Sequence, residues 1–148
     1  MYKRQTVDPS GQFVYAANWG SKNISVYTIN AGTGVLTPAL QPVVAAGTNP
    51  VSIAVAPSTG DPLLGKFAYA ANWGSNNISV YTITATGPLA GALTTGTAVV
   101  AGTNPASVAV APSTVTPLLG EFVYAANETD STISVYTINA ATGALQLQ

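Results

Sequence analysis

The side chains able to do chemistry in this chain are few, and they fall at matching points of a repeated unit. Glu128 and Asp130 are its one acidic pair. Two carboxylates in one turn can hold calcium weakly or touch a substrate, and a solvated turn selects the same residue types. Trp19 and Trp73, with Asn49 and Asn104, are the candidate ligand-binding set. Indole faces beside amides suit carbohydrate, whereas a tryptophan at a hairpin tip can equally cover its own hairpin. The chain has no His and no Cys, and its single arginine is Arg4. Within these residues that removes Ser-His-Asp triads, His general bases, His or thiolate metal ligands, and disulfides. No catalytic residue is assigned and no cofactor is expected. Asn23-Ile24-Ser25, Asn77-Ile78-Ser79 and Asn127-Glu128-Thr129 match the glycosylation acceptor pattern, but each falls at a strand boundary and is taken as a coincidence of the repeat.

These side chains are positioned by the repeat itself. Phe13-Val14-Tyr15-Ala16-Ala17-Asn18 returns at residues 67–72 as Phe-Ala-Tyr-Ala-Ala-Asn and at 122–127 as Phe-Val-Tyr-Ala-Ala-Asn. Ile-Ser-Val-Tyr-Thr-Ile recurs unchanged at 24–29, 78–83 and 133–138, and Gly-Thr-Asn-Pro at 47–50 and 102–105. The step from Phe13 to Phe67 is 54 positions and from Phe67 to Phe122 it is 55.

One full unit, 47–101, reads as four strands. Residues 50–56 form the first, with Pro50 confined to its start because proline cannot donate to a ladder. Residues 66–72 form the second, and its run 67–71 is continuously apolar, which implies burial on both faces. A tight connection follows, in which Gly74 is expected to supply a positive φ. In the third strand Ile78, Val80 and Thr82 share one face and Ser79, Tyr81 and Ile83 the other. Residues 93–101 make the fourth strand. A fixed period of short strands of this length predicts the blades of a β-propeller, four antiparallel strands each.

The fold class is therefore all-β: an incomplete propeller of about two and three-quarter blades, against about 4–8 in closed rings. The blade pieces are 6–46, 47–101 and 102–148. The first unit is expected to lack most of its first strand, and the last to stop inside its fourth. The second and third units carry an added loop, containing Pro62-Leu63-Leu64-Gly65 and Pro117-Leu118-Leu119-Gly120, whose leucines fold back onto the blade or dock a partner.

Met1-Tyr2-Lys3-Arg4-Gln5 matches no part of the repeat and looks like the translation of a sequencing adapter. Residues 1–5 are thus expected to be a non-native segment from a truncated metagenomic reading frame.

Composition narrows the partners. The net charge is −1 and charged residues make up 6% of the chain, so there is no basic stripe to meet nucleic acid. Hydrophobic residues are 47%, enough to bury a core. No apolar run reaches the length of a membrane-spanning helix, about 18 residues. A surface rich in Thr, Ser, Asn and Gly leans toward a secreted or cell-surface setting.

The units resemble the lactonase-family β-propeller and the related Tyr-Val-Thr-Asn-type repeats of surface-layer propellers. The resemblance rests on Asp8-Pro9-Ser10-Gly11-Gln12 followed by the 13–18 motif, on 24–30, and on Thr33-Gly34-Val35-Leu36; it covers everything after Gln5. It implies a seven-bladed parent, some of whose relatives hydrolyse sugar lactones. Fold does not fix function, and two expectations follow. The first is a fragment of an extracellular or cell-surface repeat protein that binds or scaffolds through its loop rim, because near-identical blades leave little room for a specialised active site. The alternative is part of a 6-phosphogluconolactonase-like hydrolase, cytoplasmic in that case, whose active site lies on other blades. The expected partners are the remaining blades and carbohydrate or a sugar lactone, and the isolated chain is expected to self-associate through its open ends.

Overall fold

The computed structural model describes residues 3–57, 65–111 and 122–148. Among these residues there are strands and no helix. They form three antiparallel sheets, one per repeat unit. The first sheet is β1 (Lys3–Val7), β2 (Phe13–Asn18), β3 (Asn23–Ile29) and β4 (Leu36–Ala45), paired in chain order. The second is β5 (Pro50–Pro57), β6 (Gly65–Asn72), β7 (Asn77–Ile83) and β8 (Leu93–Thr95), with β9 (Val99–Val100) also on β7. The third is β10 (Pro105–Ala111), β11 (Phe122–Asn127), β12 (Thr132–Ile138) and β13 (Leu145–Leu147). The inner strands β1, β5 and β10 lie against one another, so the sheets fan outward from a shared inner edge as propeller blades do.

The period-2 alternation of the strands decides which blade each side chain meets. Tyr15, Ala17, Ile24 and Val26 of the first sheet pack with Ala68, Ala70, Tyr81, Ile83 and Leu93 of the second. The opposite face of that second sheet, Phe67, Tyr69, Ala71, Ile78 and Val80, packs with Val123, Ala125, Tyr136, Ile138 and Leu145 of the third. The middle blade is thus buried on both faces, as the apolar run 67–71 predicts. Each large side chain removed from water here contributes about 1.5–3 kcal/mol. Alanines at 68, 70, 71 and 125 let the sheets close on the bulkier tyrosines.

Three details differ from the sequence expectation. The fourth strand of the second unit is broken: β8 and β9 both pair with β7, and residues 96–98 between them are not strand, although Gly96 N still donates to Val80 O at 2.8 Å. The first unit does not lack its inner strand, because β1 pairs with β2 from Lys3↔Asn18 to Val7↔Val14. A ladder is a backbone interaction, so Lys3, Arg4 and Gln5 can serve in it although their side chains do not follow the repeat. The turn glycine Gly74 is not the residue with positive φ; Lys22, Asn76 and Ser131 hold that conformation, at 55°, 52° and 53°. Gly74 is needed for closeness instead, since a Cβ there would sit 2.9 Å from Thr48 Cγ2. Residues 62–64 and 117–120, together with Asp61 and Glu121, lie outside the described residues. Among the described residues no helix is long and apolar enough to cross a membrane.

Candidate functional site

The second-to-third strand turns and the blade-to-blade linkers meet at one end of the sheets, and this rim carries the candidate residues. Each linker is clasped by the turn of the blade it enters. Trp73 N donates to Asn49 O and Gly74 N to Thr48 O, both at 3.0 Å. In the next blade Glu128 N donates to Asn104 O at 3.0 Å and Thr129 N to Thr103 O at 3.4 Å. Asn49 and Asn104 have φ of 56° and 54°, a left-handed conformation that asparagine tolerates better than most residues.

Below the rim each blade holds a buried asparagine. Asn72 Nδ2 donates to Asn77 Oδ1 and Ser79 Oγ, both at 2.8 Å, and Asn18 and Asn127 make the corresponding bonds. The asparagines of all three glycosylation-like triplets belong to this network, which ties them to the strand ends.

The clasp is completed by a side chain. Ser75 Oγ accepts from Thr48 N at 3.0 Å in the second blade, and Asp130 Oδ2 accepts from Thr103 N at 2.5 Å in the third. Asp130 therefore does with a carboxylate what Ser75 does with a hydroxyl. The Thr103 N–H holds the Asp130 carboxyl below its ordinary value, because a hydrogen bond to the ionised form favours that form.

Across blades the rim is continuous. The Trp19 and Trp73 rings lie with centroids 5.3 Å apart, tilted by 38°. Trp73 Nε1 then donates to Glu128 Oε2 at 3.0 Å. Asn104 bridges the same boundary: its N–H donates to Asn76 Oδ1 and its Nδ2 to Trp73 O, both at 2.9 Å. Thr129 Oγ1 donates to Asn104 Oδ1 at 2.7 Å. Trp19, Trp73, Asn104 and Glu128 thus come together as one row spanning three blades. Asn49 stands at the root of the Trp73 turn, and Asp130 faces Thr103 rather than Glu128's partner. Each tryptophan lies against the neighbouring blade rather than over its own hairpin alone. Among the described residues no group of three or more His, Cys, Asp or Glu is placed to hold a metal ion.

The sequence reading missed the tyrosines that bolt the blades together. Tyr15 Oη donates to Gly91 O and Tyr69 Oη to Gly143 O, both at 3.0 Å. In the other direction Tyr81 Oη donates to Ala45 O at 2.9 Å and Tyr136 Oη to Val100 O at 2.8 Å. Burial of the phenols pushes Tyr81 up to about 12 and raises Tyr15 and Tyr136 as well. The signal was present as the recurrence of Tyr with Gly34, Gly91 and Gly143, one glycine per unit.

Comparison with known proteins fits this geometry. The profile of the family described as lactonase, 7-bladed beta-propeller, matches residues 4–55 and 63–148. No curated protein sequence matches the chain. Among solved structures, a protein from Lactobacillus plantarum aligns with a TM-score of 0.79 at 22% identity, over 97% of this chain and 39% of that one. A Bacteroides fragilis protein proposed to be a 6-phosphogluconolactonase gives 0.78 at 20% identity, over 97% of this chain and 36% of that one. The periplasmic gluconolactonase of Pseudomonas aeruginosa gives 0.68 at 18% identity, over 97% of this chain and 38% of that one. The chain spans about two fifths of the length of these proteins, and at such identities the likeness is one of fold.

Proposed function

The chain belongs to the lactonase family of seven-bladed β-propellers, and from that premise we propose that it is the arc of a propeller that binds carbohydrate through its rim. The observation that carries this reading is the row Trp19–Trp73–Glu128. Two tilted indoles offer apolar faces to the C–H faces of a sugar ring, and one of them is fixed in orientation by a carboxylate on the next blade. A carboxylate has several lone pairs, so Glu128 can serve Trp73 and still accept from a sugar hydroxyl. Asn104 and Asp130 spend their polar atoms on the linker and turn, and so act as positioning residues that hold the row in place. A module of this kind fits the neutral surface, rich in Thr, Ser, Asn and Gly, of a secreted or cell-surface protein.

A second reading is favoured by the gluconolactonase among the structural neighbours. In it the parent protein hydrolyses a sugar lactone, and the groups that activate water and stabilise the oxyanion come from blades outside this chain. The two readings share a ligand class and differ in chemistry. Calorimetric titration of the chain with neutral hexose oligosaccharides, beside a hydrolysis assay of the complete protein on glucono-δ-lactone, separates them. Binding without turnover supports the module, turnover supports the hydrolase, and the absence of both refutes the rim as a sugar site.

A further inference from the structure

The rim crosses two blade boundaries inside this chain, and the same linker asparagine is tied down at one and unbonded at the other. Between the second and third sheets Asn104 is fully engaged. Its N–H donates to Asn76 Oδ1 and its Nδ2 to Trp73 O, both at 2.9 Å, and its Oδ1 accepts from Thr129 Oγ1 at 2.7 Å. Asn49 holds the equivalent place between the first and second sheets, with a φ of 56° against 54°. Among the described residues its N–H, Nδ2 and Oδ1 have no hydrogen-bond partner.

Two differences between the units account for the contrast. Lys22 stands in the first turn where Asn76 stands in the second, and both hold a left-handed φ, 55° and 52°. With matching backbones, their side chains leave the turn in the same direction, toward the linker of the next blade. An ammonium has three donors and no acceptor, so Lys22 cannot take the Asn49 N–H as Asn76 takes that of Asn104. Gly74 stands where Thr129 stands and brings no hydroxyl to Asn49 Oδ1. It lies directly against that side chain, since a Cβ on Gly74 would fall 3.3 Å from Asn49 Cγ.

The first boundary is therefore rich in donors: the N–H and amide of Asn49 and the exposed ammonium of Lys22, which has no carboxylate partner among the described residues. Both tryptophans adjoin them. Trp19 shares the turn of Lys22, and Trp73 N donates to Asn49 O. Donors beside a cation favour an anionic oxygen, because charge-assisted hydrogen bonds are about twice as strong as neutral ones. Glu128 and Asp130 place the opposite charge on the third turn, so the rim runs from cation to anion along its length.

We propose that this boundary binds the carboxylate of a uronate residue in an acidic oligosaccharide. One carboxylate oxygen accepts from the Asn49 N–H, the part that Asn76 Oδ1 plays for Asn104, and Lys22 Nζ donates to the carboxylate. The Asn49 amide is left to meet a ring hydroxyl, and the indoles meet the C–H face of the sugar. The polarity of the rim sets the direction, with the carboxylate at Lys22 and hydroxyls toward Glu128. This inference rests on the sugar-binding reading of the rim and adds the class of sugar.

Tryptophan fluorescence titrations of the full chain test it, with trigalacturonate and with the same trimer after its carboxylates are reduced to alcohols. The uronate is expected to bind about tenfold more tightly at low salt, the effect of one charge-assisted bond. That advantage should shrink as salt is added. Lys22→Asn rebuilds the second boundary at the first, since asparagine tolerates the φ, accepts from the Asn49 N–H and carries no charge. It is expected to abolish the advantage while the melt and the affinity for the reduced trimer stay those of the wild type. Lys22→Arg, which keeps the charge, is expected to retain the advantage. Equal binding of the two trimers, or a uronate preference that survives Lys22→Asn, would overturn the proposal and leave the rim a site for neutral sugar. Binding of neither trimer would overturn it together with the reading on which it rests.

Discussion

Trp73 donates its indole Nε1–H to Glu128 Oε2 at 3.0 Å across the boundary between the second and third sheets. The bond joins a tryptophan present in two units to the acid that replaces it in the third. Removing the acid in Glu128→Ala is expected to loosen the Trp73 ring while leaving the blade intact. The near-ultraviolet circular dichroism of the tryptophans should fall. The unfolding free energy should change by less than about 1 kcal/mol, because the bond is exposed.

The interblade tyrosines carry more stability. Tyr69→Phe removes a fully buried hydroxyl and leaves Gly143 O without its partner. A buried acceptor stripped in this way costs about 1–3 kcal/mol. Urea denaturation of Tyr69→Phe against wild type should show that loss in the midpoint with an unchanged slope. A loss under half a kcal/mol would place Gly143 O in contact with water.

The three unit glycines separate conformational strain from packing. All three have positive φ, so alanine costs each about 1 kcal/mol. At Gly91 and Gly143 the methyl would also enter a phenylalanine ring, and overpacking of that kind adds about 1–3 kcal/mol. Gly143→Ala is therefore expected to destabilise the monomer clearly more than Gly34→Ala does. Equal costs in denaturant titrations, read at concentrations where the chain is monomeric, would contradict the seating of Phe67 on Gly143.

Stability should fall at the alkaline end. A phenol whose folded value is raised contributes stability that is fully present below its ordinary value near 10 and is lost as pH rises toward the folded one. With Tyr81 pushed up to about 12 by burial, and Tyr15 and Tyr136 also raised, the melting temperature should decline above about pH 10. At the acid end the lowered Asp130 carboxyl works in reverse. Its clasp on Thr103 is present above the ordinary carboxylate value of 3.8 and is released as pH falls through the lower folded value. Asp130→Asn should remove that acid-side component and leave the alkaline one unchanged.

Much of this architecture was legible in the residues. The recurrence of Phe13, Phe67 and Phe122 set the blade period, and the alternation in 78–83 assigned Ile78 and Tyr81 to opposite neighbours, as found. The sequence sets Trp19, Trp73, Asn49 and Asn104 on one rim because turns and linkers of a blade share one end; that Glu128 joins Trp73 there is a finding of the structure. Partnering was less legible. Nothing in one unit's sequence says that Trp73 reaches into the next unit, or that Asn104 spends its amide on Trp73 O. Such bonds depend on the angle between blades, which no local pattern encodes. The left-handed turn position was misassigned to Gly74 for a related reason: the glycine answers to Thr48 of the incoming linker, distant in sequence, and Asn76 absorbs the φ instead.

The central claim is that the rim is a sugar-contacting surface built on the two tryptophans, and their intrinsic fluorescence reports on it directly. Trp19 and Trp73 are the only tryptophans in the chain, so the emission belongs to the site. Titration with neutral hexose oligosaccharides is expected to shift the emission to shorter wavelength and to saturate. Trp19→Phe and Trp73→Phe should each weaken the apparent affinity several-fold while the melt stays that of the wild type. Emission that does not change to millimolar sugar, in a chain whose melt is cooperative, would contradict the claim.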